Sequence, residues 1–130
     1  ISGPLLDRID IFIEVPRVDY EKLTDSKLSE SSETVRVRTE ASRQIQHKRF
    51  AGSKLTCNAE MTPVEVREFC QVEASAHSLL RTAMKQLNLT ARAFHRVLKL
   101  ARTIADLEAS DIIKMHHLAE ALQYRPRTNA

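Results

Sequence analysis

Two arginines, each at a predicted boundary between structural elements, are the residues best suited to contact a phosphate. The first, Arg8, follows the apolar pair Leu5-Leu6 and lies between Asp7 and Asp10. An arginine at such a junction can donate its planar guanidinium to a phosphate held by another subunit. It can also form a surface salt bridge with Asp7 or Asp10, an interaction worth about 0 to 1 kcal/mol. The residues alone leave these two interpretations open.

Arg92 is the second arginine, and it lies at the start of a predicted helix. Thr90 is a good N-cap residue, which places Arg92 in the first helical turn. Cations are disfavoured there, because the free N–H groups and the helix dipole make this end of the helix positive. A nucleotide phosphate bound nearby would explain an arginine at this position. A carboxylate from an adjoining loop would explain it equally well.

A predicted helix over residues 33–50 carries the remaining candidate site, a set of basic side chains. Such side chains can hold nucleic-acid phosphates electrostatically. The candidates are Arg36, Arg38, Arg43, Lys48 and Arg49. Glu33 and Glu40 interrupt the positive run, so an ordinary solvated helix face is the competing interpretation.

The sequence contains none of the compact motifs that assemble a catalytic site on one chain. The motifs GxxxxGKS/T, GxGxxG, HExxH, GxSxG and CxxC are all missing. We therefore expect no catalysis by this polypeptide alone.

A zinc site can be imagined from two cysteines and three of the histidines: Cys57, Cys70, His77, His116 and His117. The cysteines are separated by 12 residues, without the local CxxC pair that preorganises such sites. The two adjacent histidines should point in different directions on a helix, so they cannot chelate as an i, i+4 pair would. We predict no metal site.

The composition places these candidates in a small, mostly helical protein. The chain has 130 residues, 42% of them hydrophobic, with only 2 Gly and 4 Pro. This size suits one globular domain, and so few turn-forming residues disfavour a sandwich or barrel. The net charge of +3 permits an anionic partner without requiring one. Two cysteines and no signal peptide favour a cytoplasmic protein, and no apolar run is long enough for a membrane span.

Helix and strand signals divide the chain into three segments, 1–17, 18–54 and 55–130. In the first, apolar residues alternate with others before Pro16, as in a single β-strand: Ile9, Ile11, Ile13 and Val15. One strand cannot satisfy its own backbone groups. It therefore either pairs with the sheet of a partner or belongs to a sheet whose other strands are missing, and an orphan strand suggests truncation.

The other two segments are predicted to be helical. The second contains one helical turn over 20–23 and the long helix over 33–50, with Gly52 as its stop. In the third, Thr62-Pro63-Val64-Glu65 is a capping box with proline in the first turn. Repeating apolar positions then predict a compact bundle of four helices, over 63–70, 73–87, 91–108 and 114–124.

In five stretches, the sequence resembles the C-terminal region of the magnesium chelatase-like AAA+ ATPases of the ComM family. The stretches are ISGPLLDRID (1–10), EVP (14–16), TARAFHRVLK (90–99), ARTIADL (101–107) and HLAEALQYR (117–125). They occur in the family's order and span nearly the whole chain. The resemblance implies that residues 1–17 close the α/β core of the ATPase, with the last strand of its sheet, and that residues 55–130 form its helical lid.

The resemblance also implies roles for the two arginines. Arg8 matches the arginine finger, which reaches across a subunit interface to the γ-phosphate in the neighbouring site. Arg92 matches the sensor-2 arginine of the lid, which contacts the γ-phosphate of a bound nucleotide. Finger and sensor usually act on opposite faces of a subunit, although in some helicase relatives the sensor also acts in trans. The sequence leaves open which arrangement applies here.

The family's phosphate-binding loop, Mg²⁺-binding acidic motif and sensor 1 are missing, because the chain begins after them. We therefore expect ATP and Mg²⁺ to act in a full-length parent, with no cofactor bound to this chain alone. The implied partners are the parent's own AAA+ core, identical subunits in a ring, and DNA, on which the ComM resemblance implies branch migration. The alternatives are a metal-insertion ATPase similar to the magnesium chelatase subunit, and a non-catalytic helical module that binds nucleic acid or protein.

Overall fold

The computed structural model describes residues 3–126. Residues 1, 2 and 127–130, which begin the first predicted segment and end the third, lie outside the described range. The described protein is mostly α-helical, as predicted. Its α-helices are α1 (Gly3–Leu6), α2 (Tyr20–Leu23), α3 (Ser32–Arg49), α4 (Pro63–Phe69), α5 (His77–Gln86), α6 (Ala91–Leu107) and α7 (Met115–Gln123), with short 3-10 turns at Asn58–Glu60 and Ala74–Ala76.

The β-strand predicted over residues 9–15 does not form in the described chain. Residues 9–19 have no regular secondary structure, and Ile13 and Val15 are exposed. The backbone N–H of Phe12 donates to the carbonyl of Tyr124 at the end of α7 (2.8 Å), not to a neighbouring strand. An alternating sequence makes a strand only beside another strand, and residues 3–126 provide none. The β pairing that they do contain is one isolated bridge, between Val72 and Ile113.

Capping residues set the helix boundaries close to where the sequence predicts them. The Ser31 hydroxyl accepts a hydrogen bond from the N–H of Thr34 at the start of α3 (3.1 Å). Gly52, three residues beyond the end of α3, adopts a positive φ of 83°, a conformation that glycine tolerates without steric cost. At α4, the N–H of Thr62 donates to the Glu65 carboxylate (3.0 Å), which completes the predicted capping box.

The core is built around α6, which packs against α3, α4 and α7. Small side chains on α6 let the other helices approach closely: Ala93, Ala101 and Ala105 are all buried. Leu118 of α7 is fully buried beside them, as is Ile113 in the loop before α7. The N–H of Ile113 donates to the carbonyl of Gln71 (2.9 Å), so this loop is tied to the end of α4.

A cluster of charged and polar side chains is buried beside α6. Asp106, whose side chain is fully buried, accepts hydrogen bonds from Arg49 (2.6 and 2.8 Å) and from Arg102 (3.2 Å). The side-chain amide of Asn58 donates to the same carboxylate (2.8 Å). Arg102 also donates to the backbone carbonyl of Asp111 beyond the end of α6 (2.9 Å). Burial lowers the pKa of Arg102, although Asp106 opposes that shift.

The first half of α3 extends away from the bundle. Residues 32–41 are all exposed, whereas Ser42, Gln46 and the following Phe50 are buried against the rest of the protein. The second half of α3 therefore packs on the four-helix bundle, and the first half presents its side chains to solvent. Within residues 3–126, no helix is both long enough and apolar enough to cross a membrane.

Candidate functional site

The two arginines singled out by the sequence are both exposed. Arg8 lies in the turn that follows α1, and Arg92 lies in the first turn of α6. Within residues 3–126, neither guanidinium forms a hydrogen bond or an ion pair with another side chain. The first turn of α6 also contains no acidic residue. Both guanidinium groups are therefore available to an external anion.

A hydrogen bond brings these two positions to the same end of the bundle. The Thr90 hydroxyl, which caps α6 by accepting from the N–H of Ala93 (3.1 Å), donates to the carboxylate of Asp7 (3.2 Å). Asp7 directly precedes Arg8, and Thr90 is two residues before Arg92. The segment that carries Arg8 therefore contacts the N-terminus of the helix that carries Arg92.

Arg125, just after α7, contacts the Arg8 segment from another side. Its Nη1 donates to the backbone carbonyl of Ile9 (2.9 Å), and its Nη2 lies 3.8 Å from the Asp7 carboxylate. Its guanidinium also lies over the ring of Phe12, 5.9 Å from the ring centroid. Arg125 is buried, and within the described chain its Nε has no hydrogen-bond partner.

Arg96, one turn along α6 from Arg92, forms a further contact with this segment. Its Nη1 donates to the Asp10 carboxylate (2.7 Å). Asp10 is therefore paired with a residue of the bundle, as Asp7 is with Thr90 and Arg125. Neither aspartate forms an ion pair with Arg8 in the described chain, so the surface salt bridge considered for Arg8 is not present.

The alternative considered for Arg92 is partly realised. A carboxylate from an adjoining segment, that of Asp7, does lie at the start of α6, but its hydrogen bond is to Thr90 and not to Arg92. Sequence reasoning identified Thr90 as a cap, but missed its contact with Asp7. Sequence reasoning also missed the contacts of Arg96 and Arg125. The residues that they contact are more than 80 positions away in the sequence, and nothing local points to them.

The structure divides the basic residues of α3 that were proposed to contact nucleic acid. Arg36, Arg43 and Lys48 are exposed, and in the described chain their side chains form no ion pair. Arg38 is paired with Glu30, with a second hydrogen bond of 3.0 Å between the same groups. This carboxylate raises the pKa of Arg38.

Arg49 is not exposed as the predicted phosphate contact requires, which corrects its grouping with the other four. Its guanidinium bonds both carboxylate oxygens of Asp106 and the side chain of Asn58 (2.9 Å), and only 12% of its side chain is exposed. The physical reason is its position on α3, seven residues after Ser42, on the side of the helix that faces the bundle. Arg49 therefore stabilises the buried cluster and is not available to an external phosphate.

A groove of about 620 Å³ lies between the second half of α3 and the neighbouring 3-10 turn and α6. Arg43 and His47 contribute to its α3 wall, and Thr56 and Thr103 add hydroxyl groups from the other elements. Its lining is of mixed polarity, and the Arg43 guanidinium is a group in it that suits a phosphate oxygen. The Thr56 and Thr103 hydroxyls already donate, to Glu60 and to the backbone carbonyl of Lys99. Glu60, which accepts a hydrogen bond from the Thr56 hydroxyl (2.5 Å), lies close to the groove.

The histidines predicted to diverge instead meet. The Nε2 atoms of His116 and His117 lie 2.8 and 2.9 Å from the same carboxylate oxygen of Glu108, at the end of α6. The prediction was wrong because His117 turns back to cap α7, its Nδ1 accepting a hydrogen bond from the N–H of Lys114 (2.9 Å). The three residues form a cluster of possible metal ligands.

The hydrogen bonds of this cluster indicate a junction between helices and not a metal centre. Because Nδ1 of His117 accepts a hydrogen bond from the backbone N–H of Lys114, the ring proton is on Nε2, which donates to Glu108. A metal bound at that nitrogen would require the opposite tautomer, with two N–H groups facing each other at Lys114. The histidine hydrogen bonds lower the pKa of Glu108. Burial raises the pKa of Cys70 to about 11, so this thiol is not a ready ligand either.

Comparison with known proteins gives one matching family model and several similar chains. The family model described as "Magnesium chelatase, subunit ChlI C-terminal" matches residues 29–125. The uncharacterised protein YifB of Escherichia coli K12 is 43% identical over 126 residues, which are 96% of this chain and 24% of that protein. The competence protein ComM of Haemophilus influenzae is 40% identical over the same shares of each chain. The uncharacterised protein Rv2897c of Mycobacterium tuberculosis is 30% identical over 125 residues, 96% of this chain and 25% of that protein. The chain thus spans about a quarter of the length of these relatives.

Proposed function

Because this chain belongs to the family of magnesium chelatase subunit ChlI C-terminal domains, we propose that it supplies both phosphate-contacting arginines to a ring-forming ATPase. The family and the similarity to YifB and ComM identify the helical bundle as an AAA+ lid. In this proposal, Arg8 is the arginine finger and Arg92 is the sensor-2 arginine. Each would stabilise the charge that develops on the γ-phosphate during its transfer.

The observation that carries the proposal is the contrast between Arg8 and its neighbours. Asp7, Ile9 and Asp10 are all bonded to the bundle, whereas the Arg8 side chain is exposed and forms no hydrogen bond or ion pair in the described chain. An arginine presented in this way loses little conformational freedom of its backbone when a phosphate binds. Removal of an arginine finger lowers turnover by about 10³ to 10⁵ in other phosphoryl-transfer enzymes.

The location of Arg92 supports a more specific arrangement. The Asp7–Thr90 hydrogen bond holds the Arg8 segment against the start of α6, so both arginines lie at one end of the bundle. We infer that both contact the same nucleotide, the one held by the neighbouring subunit. In this proposal, therefore, the sensor acts in trans.

The residues of this chain fit a nucleotide only in part. Two unpaired guanidinium groups and a helix N-terminus without acidic side chains suit a phosphate. The remaining contacts would come from the proposed AAA+ core, with ATP as the phosphoryl donor and Mg²⁺ neutralising its charge when they are bound there. The chain alone should therefore bind a fluorescent ATP analogue weakly or not at all, and micromolar affinity would contradict this division of roles.

The test of the proposal uses the full-length protein. Arg8→Ala and Arg92→Ala should each retain nucleotide binding, while Arg8→Ala lowers ATP turnover by about 10³-fold. Arg81→Ala is the matched control, since Arg81 is an exposed arginine of α5 at another part of the surface. Turnover of Arg8→Ala equal to that of the control would exclude Arg8 from the site.

A second proposed role, contact with DNA, is supported by the exposed side of α3. Arg36 and Arg43 are seven residues apart, so they lie on one side of the helix, and Arg43 borders the groove between α3 and α6. We propose that the full-length ATPase remodels DNA and that these side chains contact its phosphates. The chain should then bind duplex DNA at low salt, with an affinity that falls as salt rises.

Charge reversal tests this second role. The double variant Arg36→Glu/Arg43→Glu should weaken DNA binding. The slope of log K against log salt concentration should also fall, by the equivalent of about two phosphate contacts. Arg67→Glu/Arg81→Glu, which changes the net charge equally at exposed positions elsewhere, should have a smaller effect. Equal losses would mean that binding depends on net charge alone. If DNA does not stimulate ATP turnover by the full-length protein, the metal-insertion alternative is favoured.

A further inference from the structure

We propose that Arg125 and Arg96 are positioning residues that fix Arg8 relative to the lid, so that the finger and the lid move as one body. This inference rests on the proposed function of Arg8. It goes beyond that function because it assigns a role to two residues that do not themselves contact a nucleotide.

The first argument is the spacing of the contacts along the Arg8 segment. Between residues 7 and 12, the bundle holds Asp7, Ile9, Asp10 and Phe12 by side-chain or backbone hydrogen bonds. The contacts lie on both sides of Arg8 and leave its own side chain exposed. A segment that merely rested on the bundle would have no reason to be held at so many positions around one unpaired arginine.

The second argument is the environment of Arg125. Its side chain is 6% exposed, and burial of a charge costs free energy unless partners compensate. Within residues 3–126, the partners of its guanidinium are Asp7, Ile9 and Phe12, all in the Arg8 segment and none in the bundle. The bundle therefore does not need this charge for its own packing.

The third argument is the connection to Arg92. Asp7 forms an ion pair with Arg125 (3.8 Å) and accepts a hydrogen bond from the Thr90 hydroxyl, and Thr90 caps the helix whose first turn contains Arg92. Arg96 adds a second link from the same helix, through Asp10. A rotation of the lid that moves Arg92 must therefore carry Arg8 with it or break these contacts. These contacts would make the arginine finger and the sensor-2 arginine contact one phosphate at the same time.

Amide hydrogen exchange of the 130-residue chain tests the contacts directly. In the wild type, the amide of Phe12 should be protected, because it donates to Tyr124. Arg125→Met should raise the exchange rate of Phe12 by about tenfold or more, while the amide of Val97 in α6 stays protected. Arg67→Met, a change of the same type at an exposed position, should alter neither. A Phe12 amide that exchanges freely in the wild type would overturn the proposal.

ATP turnover by the full-length protein tests the consequence. Arg125→Met should lower kcat with little change in KM for ATP, and Arg125→Lys should restore part of the loss. Because Arg125 acts through Arg8, the double variant Arg8→Ala/Arg125→Met should be no slower than Arg8→Ala alone. A purely structural role for Arg125 would instead give losses that multiply, and it would overturn the proposal.

A second variant keeps the test valid if Arg125→Met unfolds the lid. Arg96→Gln removes the ion pair between a partly exposed side chain and Asp10, and it should lower kcat. Combined with Arg8→Ala, it should give turnover no slower than that of Arg8→Ala alone. Normal turnover of Arg96→Gln and Arg125→Met, with Arg8→Ala inactive, would reject the positioning role alone. Normal turnover of Arg8→Ala would reject the proposed function itself.

Discussion

The helical bundle and the segment before it use charged residues in opposite ways. In the bundle, Asp106 is fully buried and bonded to two arginines, Arg49 and Arg102. In the segment 3–31, apolar side chains such as Leu28 are exposed, and Arg8 has no partner in the described chain. The buried charges of the bundle stabilise its own fold, whereas the segment leaves the Arg8 guanidinium exposed.

This difference separates structural arginines from candidate functional ones. Arg49 and Arg92 are both arginines of long helices, but one is bonded to three acceptor atoms and the other to none in residues 3–126. Charge and helix periodicity do not distinguish them in a sequence. Burial and partners do: Arg49 is bonded within the buried cluster, whereas the Arg92 guanidinium is exposed, as its proposed binding role requires.

The largest expected effect on stability comes from removing the central carboxylate of the bundle. Asp106→Ala leaves two buried guanidinium groups without their counterion, which should cost about 3 to 5 kcal/mol in the free energy of unfolding. Asp10→Ala, at the half-exposed partner of Arg96 in the segment, should cost only about 0 to 1 kcal/mol. Urea denaturation of the two variants measures both values, and similar losses would remove the distinction between the regions.

A pair of leucines makes the same comparison for apolar side chains. Leu118→Ala, at a fully buried position of α7, should cost about 2 to 5 kcal/mol because it leaves a cavity. Leu28→Ala, at a position that is 95% exposed, should fall within about 0.5 kcal/mol of the wild type. Thermal and urea unfolding of both variants would check this. A large loss at Leu28 would show that the segment has a packed core of its own.

The contact between the two regions should have an intermediate effect. Thr90→Ala removes the cap of α6 and the hydrogen bond to Asp7 together, and should cost about 1 kcal/mol. Thr90→Ser keeps both hydroxyl functions and should be close to the wild type. The urea midpoint measures the loss, and the amide exchange of residue Phe12 shows whether the segment loosens. Loosening in Thr90→Ser as well would contradict a role for the hydroxyl.

The smallest expected effect is on how the free energy of unfolding falls at low pH. The folded-state pKa of Glu108 is lowered from its ordinary value of 4.5 by the two histidines, so its stabilisation is present above that value. It should be lost as the pH falls below 4.5 through the lowered pKa. Glu108→Gln should therefore show a shallower fall of unfolding free energy with acid than the wild type. Glu40→Gln, at an exposed carboxylate of α3, should leave the slope unchanged.

The acid slope of Glu108→Gln should be reduced and not abolished. Hydrogen bonds also lower the pKa values of Glu65 and Glu73, and these carboxylates remain in the variant. A slope identical to that of the wild type would mean that the Glu108 junction contributes nothing to folding.

Local signals in the sequence were enough to predict α2 to α7, but not the short helix α1 (Gly3–Leu6). Thr62 and Thr90 are capping residues whose hydrogen bonds involve neighbours in sequence, so the starts of α4 and α6 follow from short-range chemistry. The strand over residues 9–15 could not be settled in this way, because a strand depends on a partner strand that residues 3–126 do not contain. Local pattern therefore determined the helices but not the segment before them.

The sequence singled out Arg8 and Arg92 as candidates, but it did not predict what surrounds them. Arg8 and Arg92 followed from their positions at element boundaries and from the family resemblance. Arg125 and the burial of Arg49 depend on contacts between residues far apart in sequence, for which a single sequence carries no signal. The meeting of His116 and His117 at Glu108 was missed because His117 caps its own helix.

The most direct test of the central claim mixes two inactive full-length variants. One is Arg8→Ala/Arg92→Ala, and the other has an inactivated nucleotide-binding loop with both arginines intact. If both arginines serve the neighbour's nucleotide, random mixing in a ring should complete about a quarter of the sites, and ATP turnover should reappear. If the mixture stays inactive while Arg8→Ala mixed with the loop variant is active, Arg92 serves its own subunit and the claim is contradicted.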